Sequence, residues 1–270
     1  MQIFRLLIFS YAFLNSFLLI ADPVHYDIGA IYKNRTLTLG LTGNLNHNNA
    51  LWGVDNLLLK GSLESSVNIF TAGVVNTVEP SLQFFPVSVF GLGFGGYWNQ
   101  SFTNSLDIKA CGESIQCKGL VQWLYVNATV QAKIQRFMFR TLFKHGRLTQ
   151  RDTSKPFFES STVLVAPKEG SLFQSLNAVA AYEIDPMWQT GLYYLEARVL
   201  ADHSRSEMGL LFVKYSPGQW EYFLGLGYFG SPVLKKARHE KDRELGPLAL
   251  VTVSYKGVFC KMKERESEKM

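Results

Sequence analysis

The chain has 270 residues, enough to bury a sizeable core in one or two domains, and only 18% of them are charged. Soluble domains average about 25% charged residues, and aromatic residues are abundant here at 14%. The formal net charge of +5 is spread along the chain, without a block of basic residues among aromatic ones, which argues against a nucleic-acid partner.

The first predicted element is a secretory signal peptide at residues 1–21. Arg5 supplies a positive charge before the mostly apolar run Leu6–Ile20, and Leu19-Ile20-Ala21 offers a cleavage site before Asp22. An N-terminal membrane anchor is the alternative, but a spanning helix needs about 20 apolar residues and this run is shorter. We therefore expect export with cleavage.

After the signal, apolar and polar residues alternate with the two-residue period of β-strands. In "LVQWLYVNATVQAKI", for example, Leu124, Val126 and Val130 alternate with Asn127 and Thr129. No stretch has the period of a helical domain, so residues 22–259 are predicted to form one domain. Ten strands are predicted, at 36–47, 57–78, 86–98, 119–134, 137–147, 172–184, 189–201, 207–215, 219–229 and 247–259, and residues 24–34 are an eleventh short strand or the beginning of the first.

Connection lengths separate two kinds of β-protein that share this alternation. The connections after strands two, four, six and eight are short, as in the turn "VEPSLQFFP" after strand two, "DPMW" and "SPGQ", whereas most of the others are longer, as in "GSPVLKKARHEKDRELG". A membrane barrel places short turns at one rim and long loops at the other, and a soluble sandwich has no reason to do so. We therefore predict an all-β fold, a single antiparallel transmembrane β-barrel of about ten strands, with eight to twelve as the range.

The last predicted strand, "LALVTVSYKGVF", has one wholly apolar face that ends at Tyr255, Gly257 and Phe259. It resembles the C-terminal signal strand of Gram-negative outer-membrane β-barrel proteins, which closes on an aromatic residue, and the alternation over 24–259 resembles their barrels. The resemblance implies an outer-membrane location, outer-membrane lipid around the barrel and the barrel-assembly machinery as a partner. Such proteins usually stop at the aromatic residue, whereas here residues 260–270 follow as a charged, presumed periplasmic tail.

If the apolar faces meet lipid, the opposite faces line the lumen. Two roles then stay open for this barrel: a structural network that plugs the lumen, or a narrow pore with a weak preference for anions, since seven of the predicted lumen charges are basic and four acidic. Surface recognition is a third role for such a barrel. The predicted lumen residues are Lys60, Glu64, Lys133, Arg140, Lys144, Glu183, Glu196, Arg198, Lys214, Glu221 and Lys256.

Two other readings of the sequence remain. A secreted soluble β-barrel or sandwich that binds a small apolar ligand would place the apolar faces inside. A barrel hydrolase, or a metal site, could use the histidines predicted at the long-loop rim, with Asp202 and Ser204 beside one of them. The histidines are only expected to lie in loops at the same rim, which does not establish the geometry of a catalytic or metal site, so no catalytic residue, no metal site and no cofactor is predicted. The four histidines are His47, His145, His203 and His239.

Two smaller features complete the predictions. Cys111 and Cys117, six positions apart in an exported chain, are predicted to form a loop disulfide at the cell surface. The run "GLGFGG" at 91–96 lies in a predicted strand and opens no helix. Its glycines are therefore interpreted as sites of barrel curvature or close packing.

Overall fold

The computed structural model describes residues 23–34, 38–53, 60–103, 111–151, 153–232 and 244–259. The predicted signal peptide at 1–21 and the charged tail at 260–270 lie outside these ranges and stay predictions. Within these ranges, no helix has the length and apolar character that crossing a bilayer requires.

The described residues form fourteen strands, and twelve of these make one closed antiparallel barrel, in which each strand pairs with its neighbours and β1 closes the sheet on β14. The predicted all-β antiparallel barrel is thus confirmed, but the predicted strand number of about ten is wrong. The barrel strands are β1 (Val24–Lys33), β2 (Thr38–Trp52), β3 (Gly61–Thr71), β4 (Val75–Val87), β5 (Phe90–Ser101), β6 (Gly119–Ile134), β7 (Phe137–Gln150), β10 (Ser171–Glu183), β11 (Trp188–Val199), β12 (Arg205–Tyr215), β13 (Trp220–Ser231) and β14 (Glu244–Val258). Between β7 and β10, β8 (Phe157–Glu159) and β9 (Leu164–Ala166) pair as a separate two-stranded sheet.

Two sequence features account for the difference in strand number. Residues 24–33 are a full strand, and the long strand predicted at 57–78 turns back at residues 72–74. Gly73 makes that reversal with a φ of 75°, a left-handed conformation that glycine adopts without strain. The predicted turn "VEPSLQFFP" instead lies inside β4, where Pro80 sits opposite Val67 and the pairing with β3 continues on both sides of it.

The three longest connections all lie at one rim of the barrel, although the shorter ones are not strictly sorted, since 53–60 at the other rim is longer than 34–37 and 72–74. One rim, called here the long-loop rim, carries the connections 34–37, 72–74, 102–118, 151–170, 200–204 and 232–243. The other, called the short-turn rim, carries the connections 53–60, 88–89, 135–136, 184–187 and 216–219. Since the barrel has an even number of strands, residues 24 and 258 both lie at the short-turn rim.

The outer face of the barrel is apolar. On β6, Leu124 and Ile134 are 62% and 71% exposed, while Asn127 and Thr129 on the opposite face are buried inside. β14 follows the same rule, since Val251 points outward and Ser254 is buried. The alternation read from the sequence therefore gives the correct faces for both strands.

Exposed aromatic side chains ring the short-turn rim. They meet as pairs on neighbouring strands, such as Trp188 with Tyr215 at 4.5 Å between ring centroids and Phe137 with Tyr182 at 4.9 Å. Aromatic girdles of this kind mark the membrane–water interface of transmembrane barrels. Further members of this girdle are Trp52 with Phe84, Tyr26 with Tyr255 and Phe259, and Trp220 with Tyr255.

One strand has the opposite orientation to the predicted one. In β11, Ala197 and Val199 are fully buried inside the barrel, and Leu195 packs against an interior cluster. Glu196 and Arg198, predicted in the lumen, therefore lie on the outer face. The apolar side of β11 faces inward because an apolar hairpin occupies the lumen at this wall.

Candidate functional site

The β8–β9 hairpin is part of the connection 151–170, which folds from the long-loop rim into the barrel. One side of it packs against the wall of β6, β7, β10 and β11, and the other packs against β12, β13 and β14. The hairpin thus fills part of the lumen with an apolar core. Its contacts on the first side are Phe157, Leu164 and Ala166 with Trp123, Leu148, Phe173, Ala197 and Val199, and on the second side Phe158 and Val163 with Met208, Leu210, Phe229 and Leu248.

A buried carboxylate fixes the tip of the hairpin to β5. Glu159 is 2% exposed and accepts hydrogen bonds from the Tyr97 hydroxyl at 2.8 Å and from the Ser161 and Thr162 amides, both at 2.8 Å. Asn99 donates to the Tyr97 hydroxyl at 2.9 Å and thereby extends the network along β5. Because a buried carboxylate must be hydrogen bonded, this network holds the tip in one place.

A second segment, from the β5–β6 connection, packs beside this hairpin. It is a turn closed by the disulfide between Cys111 and Cys117, whose Cα atoms lie 5.7 Å apart. Gln116 pairs with the edge of β8: its amide donates to Pro156 O at 2.8 Å, and the Phe158 amide donates to Gln116 O at 3.0 Å. Cys117 is 3% exposed and belongs to the same apolar cluster as Phe158. The disulfide-closed turn and the β8–β9 hairpin together are called the plug below.

The plug leaves an open, polar part of the lumen along the opposite wall. A cavity of about 700 Å³ runs from the turn at 72–74 on the long-loop rim to Asp27 and Glu221, which lie near the short-turn ends of β1 and β13. A second cavity of about 530 Å³ shares Asn44, Asn68 and Glu79 with the first. Amide, hydroxyl and charged groups line most of the second cavity and are mixed with apolar side chains in the first, so both offer hydrogen-bond partners to water and hydrophilic solutes.

Glu79, where the two cavities meet, is held by side chains that cross the neighbouring strands. Lys144 of β7 reaches it at 2.5 Å, and the Tyr125 hydroxyl of β6 donates to it at 2.7 Å. The Lys144 ammonium also lies 4.8 Å from the Tyr125 ring centroid. Gly95 of β5 makes room for this arrangement, because a Cβ there would lie 2.5 Å from the Tyr125 ring.

Further ion pairs line the lumen near the short-turn rim. Lys133 and Glu183 lie 2.7 Å apart, and Glu221 accepts from Lys256 at 2.5 Å and lies 3.4 Å from Lys214. These pairs are partly exposed to the lumen. These charges pair along the barrel wall, on neighbouring or next-neighbouring strands, and so neutralise one another locally.

The structure places most, but not all, of the predicted lumen residues inside the barrel. Lys60 lies in the connection before β3 and is exposed, and Glu196 and Arg198 are outside, as described above. The predicted residues that face inward are Glu64, Lys133, Arg140, Lys144, Glu183, Lys214, Glu221 and Lys256.

Four interior charges were missed by the sequence analysis. Asp27 and Lys33 lie on β1, which was only an uncertain strand, and Glu79 lies in a segment read as a turn. Glu159 comes from the plug. With these included and Lys60, Glu196 and Arg198 removed, the described interior carries six basic and six acidic side chains, not seven and four.

The histidines predicted at the long-loop rim do not come together. His47 is buried in β2, and His145 lies on β7 with Nδ1 3.3 Å from Gln174 Nε2 on β10. His203 lies in the connection between β11 and β12, where the Ser204 amide donates to Asp202 at 3.0 Å in a local turn. His239 is outside the described residues. Within the described ranges, no three His, Cys, Asp or Glu side chains are grouped to hold a metal ion.

A closed antiparallel barrel with an apolar outer face, an aromatic girdle and a polar interior is a transmembrane β-barrel. No protein-family model matches the chain. A search of curated proteins found no match either.

Among solved structures, the chain is similar to Gram-negative outer-membrane β-barrel proteins. The NanC porin is 10% identical, with a TM-score of 0.46 over 85% of this chain and 98% of that one. The KdgM porin is 12% identical, with a TM-score of 0.44 over 86% and 98%. OmpT, an outer membrane protein of Vibrio cholerae, is 9% identical, with a TM-score of 0.41 over 87% and 98%. This likeness concerns the barrel architecture alone.

Proposed function

We propose that this chain is a bacterial outer-membrane β-barrel whose lumen forms a narrow passage for small hydrophilic solutes, restricted by the plug. The observation that carries this proposal is the cavity of about 700 Å³, which follows the barrel wall past the plug and has Asp27, Asn44, Glu79 and Glu221 in its lining. The apolar outer face and the aromatic girdle support insertion in a membrane.

The alternative of a soluble barrel with an apolar ligand inside fits the geometry poorly. Large apolar side chains such as Leu39, Leu211 and Leu192 are 73%, 62% and 60% exposed on the outer face. A water-soluble protein rarely exposes an apolar patch larger than a few hundred Å². Inside, amides, hydroxyls and charges line most of the 530 Å³ cavity and stand among apolar side chains in the 700 Å³ cavity, so an apolar ligand would cover polar groups without giving them hydrogen-bond partners.

The arrangement of charges supports a passage with little charge selectivity. In the described interior, the six basic and six acidic side chains include the close pairs Lys144–Glu79, Lys133–Glu183 and Lys256–Glu221. Paired charges at short range largely cancel in the potential that a passing ion meets. The weak anion preference inferred from the sequence stays a prediction, and we expect a small effect.

Single-channel recording in planar bilayers tests the proposed function. The wild-type chain should give small, stable conductance steps, and a variant in which a short Gly-Ser linker replaces residues 154–168 should give larger ones. Heat-modifiable gel mobility checks that both barrels are folded. Silence of both proteins would overturn the passage and favour a structural barrel, and equal steps would show that the plug does not restrict the lumen.

A further inference from the structure

Polar and charged side chains interrupt the apolar outer face on β7, β10, β11 and β12, next to the long-loop rim. The strand register places His145, Gln174, Arg198 and Arg205 in one row across these four strands. Since neighbouring strands lie about 4.8 Å apart, the row is roughly 14 Å long. Arg147 lies two residues closer to the rim than His145 on the same face.

Elsewhere around the barrel, the same level of the outer face is apolar. Leu39 and Leu41 of β2, within four residues of the long-loop rim, are 73% and 61% exposed. Val126 of β6, opposite His145 in the register, is 61% exposed. The charged row therefore belongs to one side of the barrel, and a general change from apolar to polar residues at the rim does not explain it.

Two carboxylates on the same outer face, two residues further from the long-loop rim, form ion pairs with the arginines of the row. Arg205 lies 2.7 Å from Glu207 and 2.9 Å from Glu196, and it also donates to the Tyr194 hydroxyl at 3.1 Å. Arg198 pairs with Glu196 through its Nε. Glu196 and Glu207 are themselves opposite each other in the register, so the acidic side chains form a second row below the basic one.

The surface keeps unused basic donors. The Arg198 side chain is 49% exposed beyond its pair with Glu196, and Arg147 is exposed and makes no ion pair with any described residue. Arg198 and Arg205 share two carboxylates, and Arg147 adds a third guanidinium group without one among the described residues, so the rim side of the described surface carries more positive than negative charge. Guanidinium groups in a row favour acceptors with several oxygens, such as phosphate.

We propose that this surface, formed by His145, Arg147, Gln174, Arg198 and Arg205, binds the phosphate of an anionic membrane lipid. The inference rests on the proposed insertion in a membrane. The row lies where the apolar band ends, at the depth of lipid headgroups. Below the row, Phe143, Leu192 and Leu211 are exposed and offer an apolar surface to the acyl chains of the same lipid, which a free phosphate would not use.

Native mass spectrometry of the folded barrel, released from detergent micelles, tests this inference with phosphatidic acid and with phosphatidylcholine of the same acyl chains. The wild-type chain should retain phosphatidic acid in preference. The variant Arg147→Gln/Arg198→Gln should bind it at least about tenfold more weakly, because charge-assisted contacts to phosphate are lost. The control Lys133→Gln/Lys256→Gln, which removes the same charge from the lumen, should bind it like the wild type.

Several outcomes would overturn the inference. These are undiminished binding in the outer-face variant, equal loss in the lumen control, and displacement of the lipid by an equal concentration of inorganic phosphate. A changed oligomeric mass with unchanged lipid binding would assign the surface to contacts between copies instead. Arg147→Gln alone, at a residue that forms no ion pair with the described part of the chain, keeps the test independent of folding. A barrel that is folded in micelles but binds no lipid contradicts this inference only, whereas a chain that is soluble without detergent contradicts the proposed function.

Discussion

At the scale of single residues, charge pairs such as Lys144–Glu79 stabilise the interior, and Gly95 leaves room for the Tyr125 ring beside this pair. Lys144 and Glu79 are 19% and 18% exposed at their side chains, so each charge relies on the other. Lys133 and Glu183, at 57% and 37%, are hydrated as well as paired. Exposed pairs contribute about 0–1 kcal/mol, and a partner lost from a more buried charge costs more.

Substitution of Glu79 tests this difference. Glu79→Gln should lower the free energy of unfolding by about 1.5–3 kcal/mol, because Lys144 and the Tyr125 hydroxyl lose a charged acceptor. Glu183→Gln, the matched change at the exposed pair, should cost less than about 1 kcal/mol. Urea unfolding in micelles, followed by tryptophan fluorescence, measures both. Equal losses would show that the Lys144–Glu79 pair contributes no more to stability than the exposed Lys133–Glu183 pair.

The glycines of β5 offer a second test. Gly95→Ala should destabilise the barrel by about 1–3 kcal/mol, because the new methyl group would displace the Tyr125 ring from its position beside Glu79. Gly43→Ala is the control, since a Cβ there would lie 3.9 Å from its nearest neighbour, Ile69 Cβ. The same unfolding assay should show little change for this control. An unchanged free energy of unfolding in Gly95→Ala would mean that the aromatic side chains can repack.

At the scale of elements, the structure shows what a strand pattern alone can and cannot predict. Alternation identified β6 and β14 and gave their faces correctly, because a barrel strand has one apolar and one polar side. It failed for β11, where both faces contain apolar residues and the plug, distant in sequence, decides which one turns inward. It also misread Pro80 as a turn, since proline lacks the amide that a central strand needs.

The candidate site was predictable to a similar extent. Glu79 could have been found, because Val78, Leu82 and Phe84 alternate with Thr77, Ser81 and Gln83 on either side of it. The plug could not, since its two strands have only three residues each and its hydrogen bonds depend on Tyr97 and Gln116 from other segments. Short elements stabilised by contacts distant in sequence carry no periodic signal.

The disulfide gives a prediction at this scale. Cys111→Ser/Cys117→Ser should raise the single-channel conductance or add open-channel fluctuations, because the turn that pairs with β8 is then no longer closed. Reduction of the wild-type chain should have the same effect. Cys260→Ser is the matched control, because it leaves the disulfide in place and should conduct like the wild type. Unchanged conductance after reduction would show that the hairpin holds its position without the disulfide.

At the scale of the whole molecule, the outer face decides the environment of the barrel. Leu211→Arg, near the middle of β12, should lower the free energy of unfolding in lipid by about 2–4 kcal/mol if that residue meets the bilayer centre. Trp220→Arg, also outward but in the girdle at the short-turn rim, should cost about 0–1 kcal/mol in charge burial because the interface is hydrated. Refolding titrations in lipid vesicles measure both. Equal losses of unfolding free energy in the two variants would show that Leu211 and Trp220 do not lie at different depths in a membrane.

Fractionation of cell membranes shows whether the apolar outer face of the barrel meets lipid. Cell membranes are separated on a density gradient, and the fractions are run on gels with and without heating. We predict that the chain is found in the outer-membrane fraction and that the unheated, folded barrel migrates differently from the heated chain. A monodisperse protein in buffer without detergent, absent from the membrane fractions, would contradict this contact with lipid.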